Sequence, residues 1–116
     1  MTTSAAQAAA FFAEVAESGQ VWTLRDSGGH PAPEADGVRV MPFWSKESRA
    51  ARIVDRVAAY AAFEIVAIPL HEWRDRWLPG LERDCLRVGL NWAGERATGY
   101  DLEPAVVMRR LLTNAG

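Results

Sequence analysis

Apolar residues in this chain switch from helical to extended spacing and back several times within 116 residues. Any fold has to satisfy every switch at once. Over 4–18, Ala8, Phe11, Phe12 and Val15 recur at i, i+3, i+4 and i+7, one face of a helix. Ser4 and Gln7 have capping-box spacing, and Gly19 stands where a helix ends in the left-handed conformation. Residues 20–26 then read as a strand, with Trp22 and Leu24 on one face and Val21 and Thr23 on the other. Asp26-Ser27-Gly28-Gly29 is a turn signal, and Pro31, Pro33 and Gly37 make 30–37 a loop. Strand character returns at 38–44, so the spacing predicts a hairpin with a long connection between 20–26 and 38–44.

Ser45 is placed as the N-cap of a helix over 46–62. Ala50, Ile53, Val54, Val57, Ala58 and Ala61 form its apolar stripe, and Arg49, Arg52, Asp55 and Arg56 its polar side. A strand at 63–68 follows; strand, helix, strand implies a crossover and parallel pairing. Pro69 opens a helical stretch over 71–78 closed by Pro79-Gly80, in which Trp73 and Trp77 share a face. After a short turn at 81–84, residues 85–92 alternate, with Leu86, Val88, Leu90 and Trp92 on one face. A tight turn at 93–96 and a return strand at 97–102 make a second hairpin. Pro104 starts a last helix whose apolar face is Val107, Met108, Leu111 and Leu112. The expected fold is a single α+β domain over 1–116, with 1–3 outside its ordered part. Its order is α-β-β-α-β-α-β-β-α, a mixed sheet of about five strands with helices packed on it.

Composition narrows the function classes. Hydrophobic residues make up 49% of the chain and charged residues 24%, a globular balance that excludes a disordered chain. Thirteen Lys and Arg against fifteen Asp and Glu leave a net charge of -2, and the arginines alternate with acids, as in Arg74-Asp75-Arg76. A non-specific phosphate grip is therefore not expected, and no nucleic-acid partner is assigned. The one cysteine, Cys85, forms no internal disulfide and reads as a small buried residue. Glu14 and Glu17 interrupt the N-terminal apolar run, and no uncharged run nears the ~20 residues of a membrane span. A cytoplasmic protein without membrane contact is expected.

Several segments together resemble a known family. They are Gly19-Gln20-Val21-Trp22-Thr23-Leu24, Met41-Pro42-Phe43-Trp44-Ser45-Lys46, Ile68-Pro69-Leu70, Arg76-Trp77-Leu78-Pro79-Gly80-Leu81, Gly89-Leu90-Asn91-Trp92-Ala93-Gly94 and Thr98-Gly99-Tyr100-Asp101. In this order they are similar to the bacterial domain of unknown function 2750 family, over about 11–107. The resemblance implies no assigned activity. The stretch from Pro42 to Ala50 also resembles, over a short span, segments of small bacterial secretion-regulator and toxin-immunity proteins.

His30, His71 and Cys85 lack CxxC, HxH or HExxH spacing, so no metal is expected. No glycine-rich phosphate loop opens a helix, and no cofactor is expected. The chain shows no catalytic constellation. Its unusual feature is five Trp. Trp22, Trp73 and Trp77 read as core. Trp44 and Trp92 stand at strand ends, where binding residues concentrate, and read either as core or as site. Ser45 and Arg49 either hold a carboxylate or phosphate at a helix start, or serve as a cap and an ion pair. Asn91, Arg96 and Tyr100 complete the candidate surface, which joins the end of the 38–44 strand to the 91–96 turn. Trp, Tyr and Arg dominate binding hot spots. The expected function is thus a non-catalytic protein- or peptide-binding module, with acidic or aromatic peptides best suited. A small anionic-ligand domain and a toxin-immunity-like partner protein are the alternatives.

Overall fold

The computed structural model describes residues 3–94 and 98–115. Helix α1 spans Thr3–Ser18 and ends as expected at Gly19, whose φ is 73° and whose N–H returns to the Val15 carbonyl at 2.8 Å. The strands are β1 (Gln20–Arg25), β2 (Glu34–Ala35), β3 (Val38–Phe43), β4 (Glu64–Pro69), β5 (Arg87–Ala93) and β6 (Thr98–Leu102). Helix α2 covers Glu47–Arg56, a one-turn 3₁₀ helix follows at Ala58–Tyr60, and the last helix, α4, is Pro104–Ala115. Between them lies α3, residues 70–83, built from Leu70–Glu72, a π-helical turn at Trp73–Trp77, and Leu78–Arg83.

Strand pairing departs from the sequence expectation at β1. It pairs antiparallel with β4, not with β3, from Gln20 opposite Pro69 to Arg25 opposite Glu64. With β3 it keeps one antiparallel bridge, Trp22 to Trp44, with both N–H···O distances 2.8 Å. Pro42 supplies the reason. In that register the next bonded pair is Leu24 with Pro42, and Pro42 has no N–H to give. Side chains take the vacant places: Thr23 Oγ1 donates to the Pro42 carbonyl at 3.0 Å, and His30 Nδ1 lies 2.8 Å from the Leu24 carbonyl. The sheet therefore splits into β1-β4 and β2-β3-β5-β6. The parallel pairing expected between 38–44 and 63–68 does not form, because β4 is taken up by β1; β3 pairs parallel with β5 instead, from Val40 opposite Arg87 to Phe43 opposite Leu90. The β5–β6 hairpin forms as expected.

Two core clusters lie on the two faces. Phe11, Phe12, Phe43, Trp73, Val88, Leu90 and Val107 belong to the first, under α1, α3 and α4. Leu24, Val40, Trp44, Ala50, Ile53, Val57 and Trp92 make the second, under α2. Strand β1 serves both, Val21 on one side and Leu24 on the other. Ile53 and Val57 are buried as the stripe predicts, and Val54 is half-buried. The radius of gyration, 13.0 Å, is that of one packed domain of this length.

Helix ends differ from expectation in three places. Lys46, not Ser45, is the N-cap residue of α2, because the Ser45 hydroxyl is engaged elsewhere. The helix also stops at Arg56, and the turn beyond lets Val57, Tyr60 and Phe63 all reach the second cluster. Pro79-Gly80 does not close α3. The Leu78 N–H bonds the Trp73 carbonyl, an i→i−5 bond, and this widened turn admits Pro79, which cannot donate to the turn before it. The helix ends instead at Cys85, which sits at φ 59° while the N–H groups of Cys85 and Leu86 bond the carbonyls of Glu82 and Leu81. That is the Schellman pattern with Cys in the usual place of Gly. Cys85 is therefore exposed and outside the strand, not buried at its start.

Candidate functional site, a polar clasp and an arginine cleft

A β-bulge organises the site. Leu90 faces Tyr100 and Ala93 faces Thr98, so Asn91 and Trp92 together oppose Gly99. Asn91 takes up the extra residue at φ 52°, a conformation Asn tolerates better than most side chains. One added residue reverses every later side chain. Trp92 consequently leaves the face of Val88 and Leu90, where strict alternation puts it, and joins the second cluster. Its indole lies across two glycines. A Cβ on Gly89 would stand 2.5 Å from Trp92 Cε2, and one on Gly99 3.0 Å from Trp92 Cδ1. Trp92 Nε1 donates to the Tyr100 carbonyl at 3.2 Å, and the Trp92 carbonyl accepts from Trp44 Nε1 at 2.8 Å.

The bulge also turns the Asn91 side chain inward, where it ties three segments together. Asn91 Oδ1 accepts from the Ser45 amide at 2.9 Å. Asn91 Nδ2 donates to Ser45 Oγ at 2.9 Å and to the Gln7 carbonyl at 3.2 Å. Ser45 Oγ in turn donates to Glu14 Oε1. Arg49 grips the same carboxylate with a fork, Nε to Oε1 at 2.9 Å and Nη2 to Oε2 at 2.8 Å. The Arg49 fork holds the Glu14 carboxyl below the usual glutamate range, burial opposes it, and the Ser45 hydroxyl adds to the lowering. The carboxylate expected at Ser45 and Arg49 is thus the chain's own.

On the outer side of this clasp a cleft of about 440 Å³ lies between α2 and the end of β5. Its α2 wall is Arg49, Arg52, Ile53 and Arg56, at three- and four-residue spacing, and its other wall runs from Asn91 to Gly94. Arg52 and Arg56 are exposed, and neither forms an ion pair with a described residue.

Five of the seven candidate residues meet in this one assembly: Trp44, Ser45, Arg49, Asn91 and Trp92. Neither indole is openly exposed: Trp44 is fully buried and Trp92 is 8% exposed. Tyr100 holds Trp92 through its backbone while its side chain stays exposed. Arg96 lies outside the described residues. Sequence reasoning missed Glu14, Gln7, Arg52 and Arg56. Glu14 carried a signal, an acid three residues from Phe11 and next to Val15 in the apolar part of the helix. Arg52 and Arg56 continue the Arg49 stripe at +3 and +7 and were legible as a stripe, though not as the wall of a cleft. Among the described residues no group of His, Cys, Asp and Glu is placed to hold a metal ion, and no helix is long and apolar enough to cross a membrane.

The arrangement defines an α+β domain with an internally neutralised clasp beneath an arginine-lined cleft. By sequence, the chain belongs to the DUF2750 family, described as a protein of unknown function, whose model matches residues 8–111. No curated protein matches the chain.

Proposed function

We propose that this domain is a non-catalytic binding module that engages an acidic segment of a protein or peptide partner through the α2–β5 cleft. The observation that carries this reading is the pair Arg52 and Arg56, exposed on one helix face and without an acidic partner among the described residues. Arg49 anchors the wall, because Glu14 fixes its guanidinium. Planar guanidinium forks suit carboxylates, and Trp with Arg is the usual make-up of an interface hot spot.

The test is calorimetric titration with a capped peptide of alternating Asp and Glu, at low and high salt. The Arg52→Glu, Arg56→Glu double variant should lose binding and keep its melting temperature, and added salt should weaken wild-type binding. Equal affinity in wild type and double variant would remove the cleft from the reading.

A further inference from the structure

Resting on that reading, we infer that the cleft is bipartite: it takes an apolar side chain of the partner against Ile53 and Trp92, with acidic residues flanking it on Arg52 and Arg56. The arginines alone do not require this. The apolar floor beside them does. Ile53 sits one residue after Arg52 and three before Arg56, so the two arginines stand one turn apart on one flank of it, one ahead of it and one behind it along the α2 axis. Trp92 closes the opposite side, followed by Ala93. The Arg52 and Arg56 stems add methylene surface beneath their charged ends.

The floor is also fixed before any partner arrives. Three restraints hold the Trp92 ring: the Gly89 backbone, the Gly99 backbone, and the bond from Nε1 to the Tyr100 carbonyl. No side chain fits at Gly89 while the ring lies there. A prearranged ring costs little further ordering on binding, which is where preorganised sites gain affinity. The cleft volume of about 440 Å³ falls within the range of sites that enclose a side chain or small ligand. A bare phosphate would use the arginines and leave this floor unused. An acidic segment with an aromatic or large aliphatic residue uses both.

The experiment compares four probes on the intact chain by calorimetry and by amide and indole NMR. They are a capped pentapeptide with Phe between two pairs of acids, the same peptide with Ala for Phe, inorganic phosphate, and a thymidylate octamer. The Phe peptide should bind about tenfold tighter than the Ala peptide, since burial of the ring adds at least that much. It should move the Trp92 indole resonance, which the Ala peptide leaves nearly in place. The Arg52→Gln, Arg56→Gln double variant should weaken both peptides and keep the preference for Phe. Equal binding of the two peptides overturns the bipartite site and leaves the acidic-partner reading standing. Binding of phosphate or the octamer with neither peptide overturns both, as does silence of the cleft resonances with every probe.

Discussion

The two faces of the sheet bury comparable indoles by different means. On the first face Trp73 is fully buried against Phe11 and Phe43, with ring centroids 5.6 and 5.2 Å away, and its Nε1 has no hydrogen-bond partner among the described residues. On the second face Trp44 is equally buried, but its Nε1 donates to the Trp92 carbonyl at 2.8 Å. Asn91, the residue before Trp92, starts a continuous hydrogen-bonded set with Ser45, Glu14 and Arg49. One face is held by shape, the other by shape and matched polar groups. Shape can be supplied by many apolar sequences of the right volume. A polar clasp works only if every member is present, because each loss leaves another buried group unpaired.

The largest effect expected is on the shape-held face. Phe11→Ala should cost about 3–5 kcal/mol, through lost transfer energy and an unfilled cavity. Denaturant unfolding measures it; a loss below about 1 kcal/mol would mean that this core repacks freely.

On the clasp side, Glu14→Gln keeps the shape and removes the charge that Arg49 grips. A loss of about 1.5–3 kcal/mol is expected near neutral pH, the worth of hydrogen bonds to a charged group. Its pH dependence has a definite sign. Glu14 is more acidic folded than unfolded, so its stabilisation is complete above the unfolded value of about 4.5 and fades as pH falls through the folded one. The gap between wild type and Glu14→Gln should therefore close in acid. A gap independent of pH would show that the ion pair contributes nothing.

The two indoles give the sharpest contrast. Both lose similar volume on substitution by Phe. Trp44→Phe also takes the indole donor away from the Trp92 carbonyl, whereas Trp73→Phe removes an N–H that has no partner among the described residues. Trp44→Phe should cost more by about 1–3 kcal/mol. Equal losses would erase the distinction between the faces. The smallest effect belongs to the cleft rim: Arg52→Ala should change stability by less than about 0.5 kcal/mol, as for an exposed residue outside any network. A larger loss would make Arg52 a structural residue.

The same contrast decides what could be read from the sequence. Phe11, Phe12, Val15, Val107 and Leu111 follow local periodicity, and a period is visible in one segment at a time. The element order and the second hairpin were legible for the same reason. The partner of β1 was not, because it turned on one missing N–H at Pro42, taken over by Thr23 and His30. Nor was the face of Trp92. Alternation carries through Leu90, and nothing local marks Asn91 as the residue that breaks it. The clasp joins Gln7 and Glu14 to Ser45 and Asn91, across separations of 31 to 84 residues, where no periodicity applies. Trp44, Ser45, Arg49, Asn91 and Trp92 could be singled out as residues at element ends; their being bonded to one another could not.

The direct test of the clasp is native-state hydrogen exchange at the Ser45 amide, which is buried and donates to Asn91 Oδ1. Asn91→Gly is the comparison, since glycine keeps the left-handed backbone of the bulge and removes only the side chain. In wild type this amide should exchange only through global unfolding, with the most protected amides of the first face. In Asn91→Gly it should exchange by local opening, well before them. If wild-type Ser45 already exchanges locally, or if Asn91→Gly leaves its protection at the global level, the second face is not held by the clasp and the account is wrong.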